Sequence, residues 1–142
     1  MEARDLALLN ARGRMAIGAS LLVAPRLLGP MWIGDGADRP VVKMLSRALG
    51  ARDLALGLGV AVAVDRGKPV RGWLEAAALA DGCDLVATLL ARDAIPAGNR
   101  RRVALVAAVS AVGCAVVART IDDEPAAAHE LSVPEAHLTG HP

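Results

Sequence analysis

The stretch "GARDLALGLG", Gly50 to Gly59, sets two full charges, Arg52 and Asp53, side by side within apolar residues and glycine. A helix at a water surface keeps such a pair on a polar face, and this segment has almost none. Charges held where burial is expensive need partners. At helical spacing, Ser46, Gly50, Asp53 and Gly57 share one face, at intervals of four, three and four. The following apolar segment repeats those intervals with Ala77, Asp81, Asp84 and Thr88. An antiparallel hairpin turning near Arg66-Gly67 sets Ser46 opposite Thr88, Gly50 opposite Asp84, Asp53 opposite Asp81 and Gly57 opposite Ala77. Small residues on one helix then meet polar residues on the other, which is how helices approach closely while burying hydrogen-bonding groups.

In this register Asp53, Asp81 and Asp84 converge near the middle of the molecule, with Arg47 and Arg52 as counter-ions. The arginine fork suits two carboxylates at once. The candidate ligand or polar cluster is therefore Arg47, Arg52, Asp53, Asp81 and Asp84, supported by Ser46, Gly50, Gly57 and Thr88. Such a cluster could fix helix register, exchange a proton, or receive a polar headgroup. Two arginines oppose a cation by charge, so no metal is expected.

The rest of the composition restricts function more than it assigns it. Hydrophobic residues make up 54% of the 142-residue chain, which has neither Phe nor Tyr and a mean hydropathy of +0.41. The length fits one domain. A net charge of +1 provides no field for nucleic acid. Cys83 and Cys114 are isolated in apolar segments, which reads as two buried structural thiols rather than zinc or thioredoxin-like chemistry. No nucleophile elbow, P-loop or dinucleotide motif is present, so no cofactor is implied. The mixed charges of "MEARDLALLNAR" argue against a cleavable signal peptide.

Turn chemistry divides the chain into four apolar segments: 6–28 (interrupted at Pro25-Arg26), 40–64, 69–92 and 100–119. "MWIGDGADR" reads as a loop, with Pro40 in the first turn of the second segment and Asp38 as its cap. This gives an all-α, up-down-up-down four-helix bundle over residues 1–121. Residues 122–142 are acidic and proline-containing, and read as a disordered tail with solvated His129, His137 and His141.

Water and lipid remain to be distinguished. The longest uncharged run, Val103 to Ala118, spans about 24 Å as a helix, short of the ~30 Å hydrocarbon core. If all four segments span, the flanking charges divide evenly. Arg4, Arg12, Arg14, Arg66, Lys68, Arg71 and Arg119 lie on one side, and Arg26, Arg39, Lys43, Arg92 and Arg100 to Arg102 on the other. That gives no orientation. Three features favour lipid: a fourth segment apolar on every side, Trp32 and Trp73 near segment ends, and glycine within the helices. "RRR" at Arg100 to Arg102 reads as an anchor at lipid phosphates, and Glu75 as a solvated acid near a helix start.

"RMAIGASLLVAPRLLGPMW", "RALGARDLALGLG" and "LADGCDLVATLLARDAIP" together resemble a group of small four-helix integral membrane proteins of actinobacteria, classed as a domain of unknown function. The resemblance covers about residues 12 to 119 and centres on "LGARDLALGLG" with the aspartate pair that follows. It implies a membrane location and four helices, and carries no activity across. "DGCD" resembles the opening of the membrane CDP-alcohol phosphotransferase signature, but the later Ala-Arg and aspartate spacings are missing.

The sequence thus reads as a small multi-pass protein of the cell membrane with a buried Arg/Asp cluster and a binding or accessory role. Its expected partners are the lipid bilayer, a small lipophilic ligand, and a second copy or another protein. Two alternatives stand beside it. One is a membrane enzyme using an aspartate as general acid or base on a lipid-like or isoprenoid substrate. The other is a soluble bundle that buries its apolar faces by oligomerising.

Overall fold

The computed structural model describes residues 2–91 and 93–121, so the expectation for the tail from Asp122 onward lies outside the described residues. Among the described residues every regular element is helical. α1 runs Ala3–Val23, α2 Pro25–Ile33, α3 Pro40–Asp65, α4 Arg71–Leu90 and α5 Ala97–Thr120. A 3-10 turn, Gly34–Asp38, joins α2 to α3.

The first apolar segment is two helices rather than one. Proline lacks an N–H and disfavours helical geometry in the residue before it, and Ala24 accordingly leaves the helical region at φ −134°, ψ 64°. Pro25 then opens α2, which takes in the first three residues of the expected "MWIGDGADR" loop and ends where Gly34 adopts φ +78°. Pro40 opens α3 as its fixed φ allows, but Asp38 does not cap it. The Asp38 carboxylate lies 3.1 Å from the Lys43 ammonium instead. Pro69 stands outside α4, because the chain first turns through Gly67 at φ +60°.

The four long helices alternate in direction. Ala7 and Ala11 of α1, Val60 and Ala63 near the end of α3, Val70 and Leu74 at the start of α4, and Ala118 and Ile121 at the end of α5 form one buried cluster. At the opposite end, Asn99 donates from Nδ2 to the carbonyls of Pro30 (3.0 Å) and Met31 (3.1 Å), tying α5 to α2.

The close helix pair is α1 with α3, not α3 with α4 as the hairpin register required. α1 buries Ala7, Ala11, Arg14, Gly18 and Leu21 on one stripe, and α3 answers with Ser46, Gly50, Asp53, Gly57 and Val60. Gly50 faces Gly18 and Leu21, and Gly57 faces Ala11 and Met15, so neither glycine serves the aspartates of α4. The physical reason is reach. A Cβ added at Gly50 would stand 2.6 Å from the Gly18 carbonyl oxygen, and one at Gly57 2.7 Å from that of Ala11. Backbones this close need small residues on both helices, and α1 supplies them where α4 has aspartates. On its α4 side, α3 instead receives the Trp73 ring over Gly59.

Much of the exterior is apolar. Leu105, Val106, Val109, Val112 and Val116 on α5 are all more than half exposed, as are Met44 and Leu45 on α3 and Leu79 and Val86 on α4. Among the described residues two helices, α1 and α5, are long and apolar enough to cross a membrane. Only 17% of the most apolar stretch of α5 is buried, whereas the core helix of a protein in water is mostly buried.

The α1–α3 contact makes a prediction. Gly50→Val forces a branched side chain into the Gly18 backbone and should destabilise by about 1–3 kcal/mol or more. Gly13→Ala, where an added Cβ meets nothing within 4 Å, should instead stabilise by roughly 0.5–1 kcal/mol. Equilibrium unfolding of both variants checks the sign at each position.

Candidate functional site

Arg14 lies near the midpoint of α1 and is only 6% exposed. Its guanidinium reaches every other long helix. Nη1 donates to Asp53 Oδ1 of α3 at 3.3 Å, and Nη2 forms an ion pair with Asp81 Oδ2 of α4. Nη2 also donates to Ser110 Oγ at 3.2 Å and to Cys114 Sγ at 3.7 Å, both on α5. Nε donates to Asn10 Oδ1, one turn earlier on α1, at 3.2 Å. Arginine has five donors in a rigid plane, so one such side chain can bond to four helices at a single level.

Arg52 makes a second, shallower layer. Its Nη1 and Nη2 donate to Asp84 Oδ1 and Oδ2 at 3.0 and 2.7 Å, a bidentate fork. Nη2 also reaches Asp53 Oδ1 at 3.1 Å. Asp53 thus accepts from both arginines and joins the two layers. The Arg52 and Asp84 side chains are about one-third exposed, whereas those of Asp53 and Asp81 are a tenth or less. Two guanidiniums against three carboxylates leave the network one negative charge in excess.

The sequence-predicted residues divide clearly. Arg52, Asp53, Asp81 and Asp84 share one network, and Asp53 and Asp81 meet on the same guanidinium. Arg47 does not join them: it is exposed, and its Nε donates to the Leu22 carbonyl at 3.3 Å. At α-helical pitch Arg47 is six residues from Asp53 and so turned away from it. Ser46 is buried but donates to the Val42 carbonyl of its own helix at 2.8 Å, and Thr88 is buried on α4. Gly50 and Gly57 line the α1 contact instead of the site.

Arg14 is the residue that sequence reasoning missed, having been counted among the flanking charges. The missed signal is its place in the stripe Ala7, Ala11, Arg14, Gly18, Leu21, whose intervals match those of the α3 face. Asn10, Ser110 and Cys114 were missed with it. Of the two cysteines expected to be buried, Cys114 is, while Cys83 is exposed; both are free thiols. Glu75 sits one turn after Arg71 and accepts from its Nε at 2.9 Å, an exposed pair on the first turns of α4.

Two cavities meet at the network. A small one of about 60 Å³ is bounded by Arg14, the three aspartates, Trp32 and Ser110, among others. A groove of about 620 Å³ runs between α1 and α5, with Asn10, Ser110 and Cys114 as its polar floor. Val106 and Ser110 border both spaces. Among the described residues no group of acids, cysteines and histidines has the arrangement to hold a metal ion. No family model matches this sequence, and neither the curated proteins nor the solved structures include a match.

Arg14 and Arg47 should behave oppositely. Arg14→Leu strands the buried Asp81 carboxylate, takes one of two arginines from Asp53, and should cost roughly 3–5 kcal/mol, the usual penalty for breaking a buried pair. Arg14→Lys should recover little of it, because an ammonium cannot form the fork. Arg47→Leu should change unfolding by no more than about 0.5 kcal/mol, as at other exposed positions.

Proposed function

We propose that this chain is a small multi-pass membrane protein, four of whose helices span the bilayer, and that it acts by binding a lipophilic partner rather than by catalysis. One observation carries the reading: polarity is inverted relative to a protein in water. Five ionisable side chains are gathered near the midpoints of the helices, while large aliphatic side chains cover the outside. Intramembrane ionisable residues characteristically face the bundle interior and pair with one another.

The span lengths support the same reading. At 20 to 26 residues, α1, α3, α4 and α5 are about 30–39 Å long, enough for the ~30 Å hydrocarbon core. Among the described residues only α1 and α5 qualify singly by length and composition. α3 and α4 carry more charge: Arg52 and Asp53 beside Arg47 and Asp65, and Asp81 and Asp84 beside Glu75. Arg52, Asp53, Asp81 and Asp84 are paired in the folded bundle, with Arg14 of α1 as the second cation. Asp53 and Asp84 are already held by arginine, which suits an ordering role better than that of a general base.

A soluble oligomer is the competing reading, and extraction separates the two. The expressed protein should sediment with membranes and stay there through high salt and alkaline carbonate, coming free only in detergent. Monodisperse protein in the detergent-free soluble fraction would refute the membrane reading.

A further inference from the structure

The α1–α5 groove has a floor whose hydrogen-bonding capacity is only partly used. Arg14 can only donate, so the Asn10 side chain must turn its oxygen toward it, and the Cys114 thiol donates to that same oxygen at 3.6 Å. The Asn10 amide nitrogen is thereby directed away from Arg14. Ser110 Oγ accepts from Arg14, so its own proton is available to donate. Among the described residues neither the Asn10 amide nitrogen nor the Ser110 hydroxyl hydrogen has an acceptor. Both residues line the groove.

The walls are Leu6, Leu9, Leu105, Val109 and Val117, with Gly113 leaving a gap on α5. A volume of about 620 Å³ falls within the roughly 300–1,000 Å³ of small-molecule sites. Charge narrows the occupant further. The network behind the floor carries one negative charge in excess, which disfavours an anionic headgroup. Two unsatisfied donors disfavour an ammonium group, which offers only more donors. Depth narrows it again: the donors lie near the helix midpoints, well inside the hydrocarbon, where the ester groups of phospholipids at its edge do not reach.

We propose that the α1–α5 groove binds a neutral lipophile bearing a carbonyl group, such as a quinone or a neutral glyceride. The carbonyl oxygen accepts from Asn10 and Ser110, and the apolar body lies along α5. This inference rests on the membrane reading above. It names the class of lipophilic ligand and the residues that select it.

Purified full-length protein in detergent micelles tests it, with decylubiquinone, dioctanoylglycerol, dodecane and laurate as probes in equilibrium dialysis. A carbonyl probe should bind more tightly than both dodecane and laurate, and whichever of the two binds better identifies the source of the carbonyl. Ser110→Ala should weaken that probe by about five-fold and leave dodecane unchanged, as loss of one hydrogen bond requires. Gly113→Leu places a side chain where an added Cβ meets nothing within 4 Å, so the protein should fold normally. The filled groove should cost about ten-fold or more in affinity for the carbonyl probe. Equal binding of dodecane, tighter binding of laurate, or full affinity in Gly113→Leu would overturn the proposal. So would a stable dimer that Gly113→Leu abolishes, since the groove would then seat a second copy. Protein that resists carbonate extraction yet binds no probe would sink this inference alone and leave the membrane reading standing.

Discussion

One guanidinium sets the terms for this bundle. Arg14 is held by carboxylates from two other helices and bonded to a hydroxyl and a thiol on a third. An arginine buried to this degree cannot shed its proton, so its charge must be matched wherever the chain places it. Matching it fixes α1, α3, α4 and α5 at one height. Ion pairs of this kind add little net stability over a well-packed apolar core. Their effect is specificity: a slip of one turn in α1, α3 or α4 would strand a charge, and one in α5 would take Ser110 and Cys114 away from Arg14.

The close α1–α3 contact follows from that requirement. Arg14 Nη1 reaches Asp53 while Nη2 serves α4 and α5, which the short α1–α3 separation allows. Gly18, Gly50 and Gly57 make this approach possible, since a Cβ at any of them would meet backbone within 2.7 Å. The glycines and the charges therefore belong to one design, the glycines bringing the helices together and the charges setting their register. The outside can then be apolar without limit if lipid, not water, surrounds it. α5 goes furthest in that direction, with Leu105, Val109, Val112 and Val116 exposed and Arg100 to Arg102 at its start.

The sequence made some of this legible and hid the rest, for physical reasons. Helix periodicity and proline chemistry give the four long helices to within a few residues. The all-helical class and the association of Arg52, Asp53, Asp81 and Asp84 follow from face spacing. The partner of the α3 glycines could not be read off, because a small-residue face fits any other small-residue face. α4 offers one at Ala77, and α1 a better one at Ala11 and Gly18. With α4 as that partner, Arg14 has no place in the interior and Arg47 takes a role that its orientation forbids. Short α2 was hidden for a different reason: "LLGPMW" is apolar enough to join a helix, while Gly29 and Pro30 suggest a break.

The claim that one guanidinium couples these helices is a claim about non-additivity, and a double-mutant cycle between Arg14 and Asp81 measures it directly. Arg14→Leu, Asp81→Leu and the double variant are unfolded to equilibrium in the same detergent. The account predicts a coupling of about 1.5–3 kcal/mol, with the double variant more stable than the two single losses together would allow. Additivity within about 0.5 kcal/mol would contradict it, because residues sharing a buried ion pair cannot act independently.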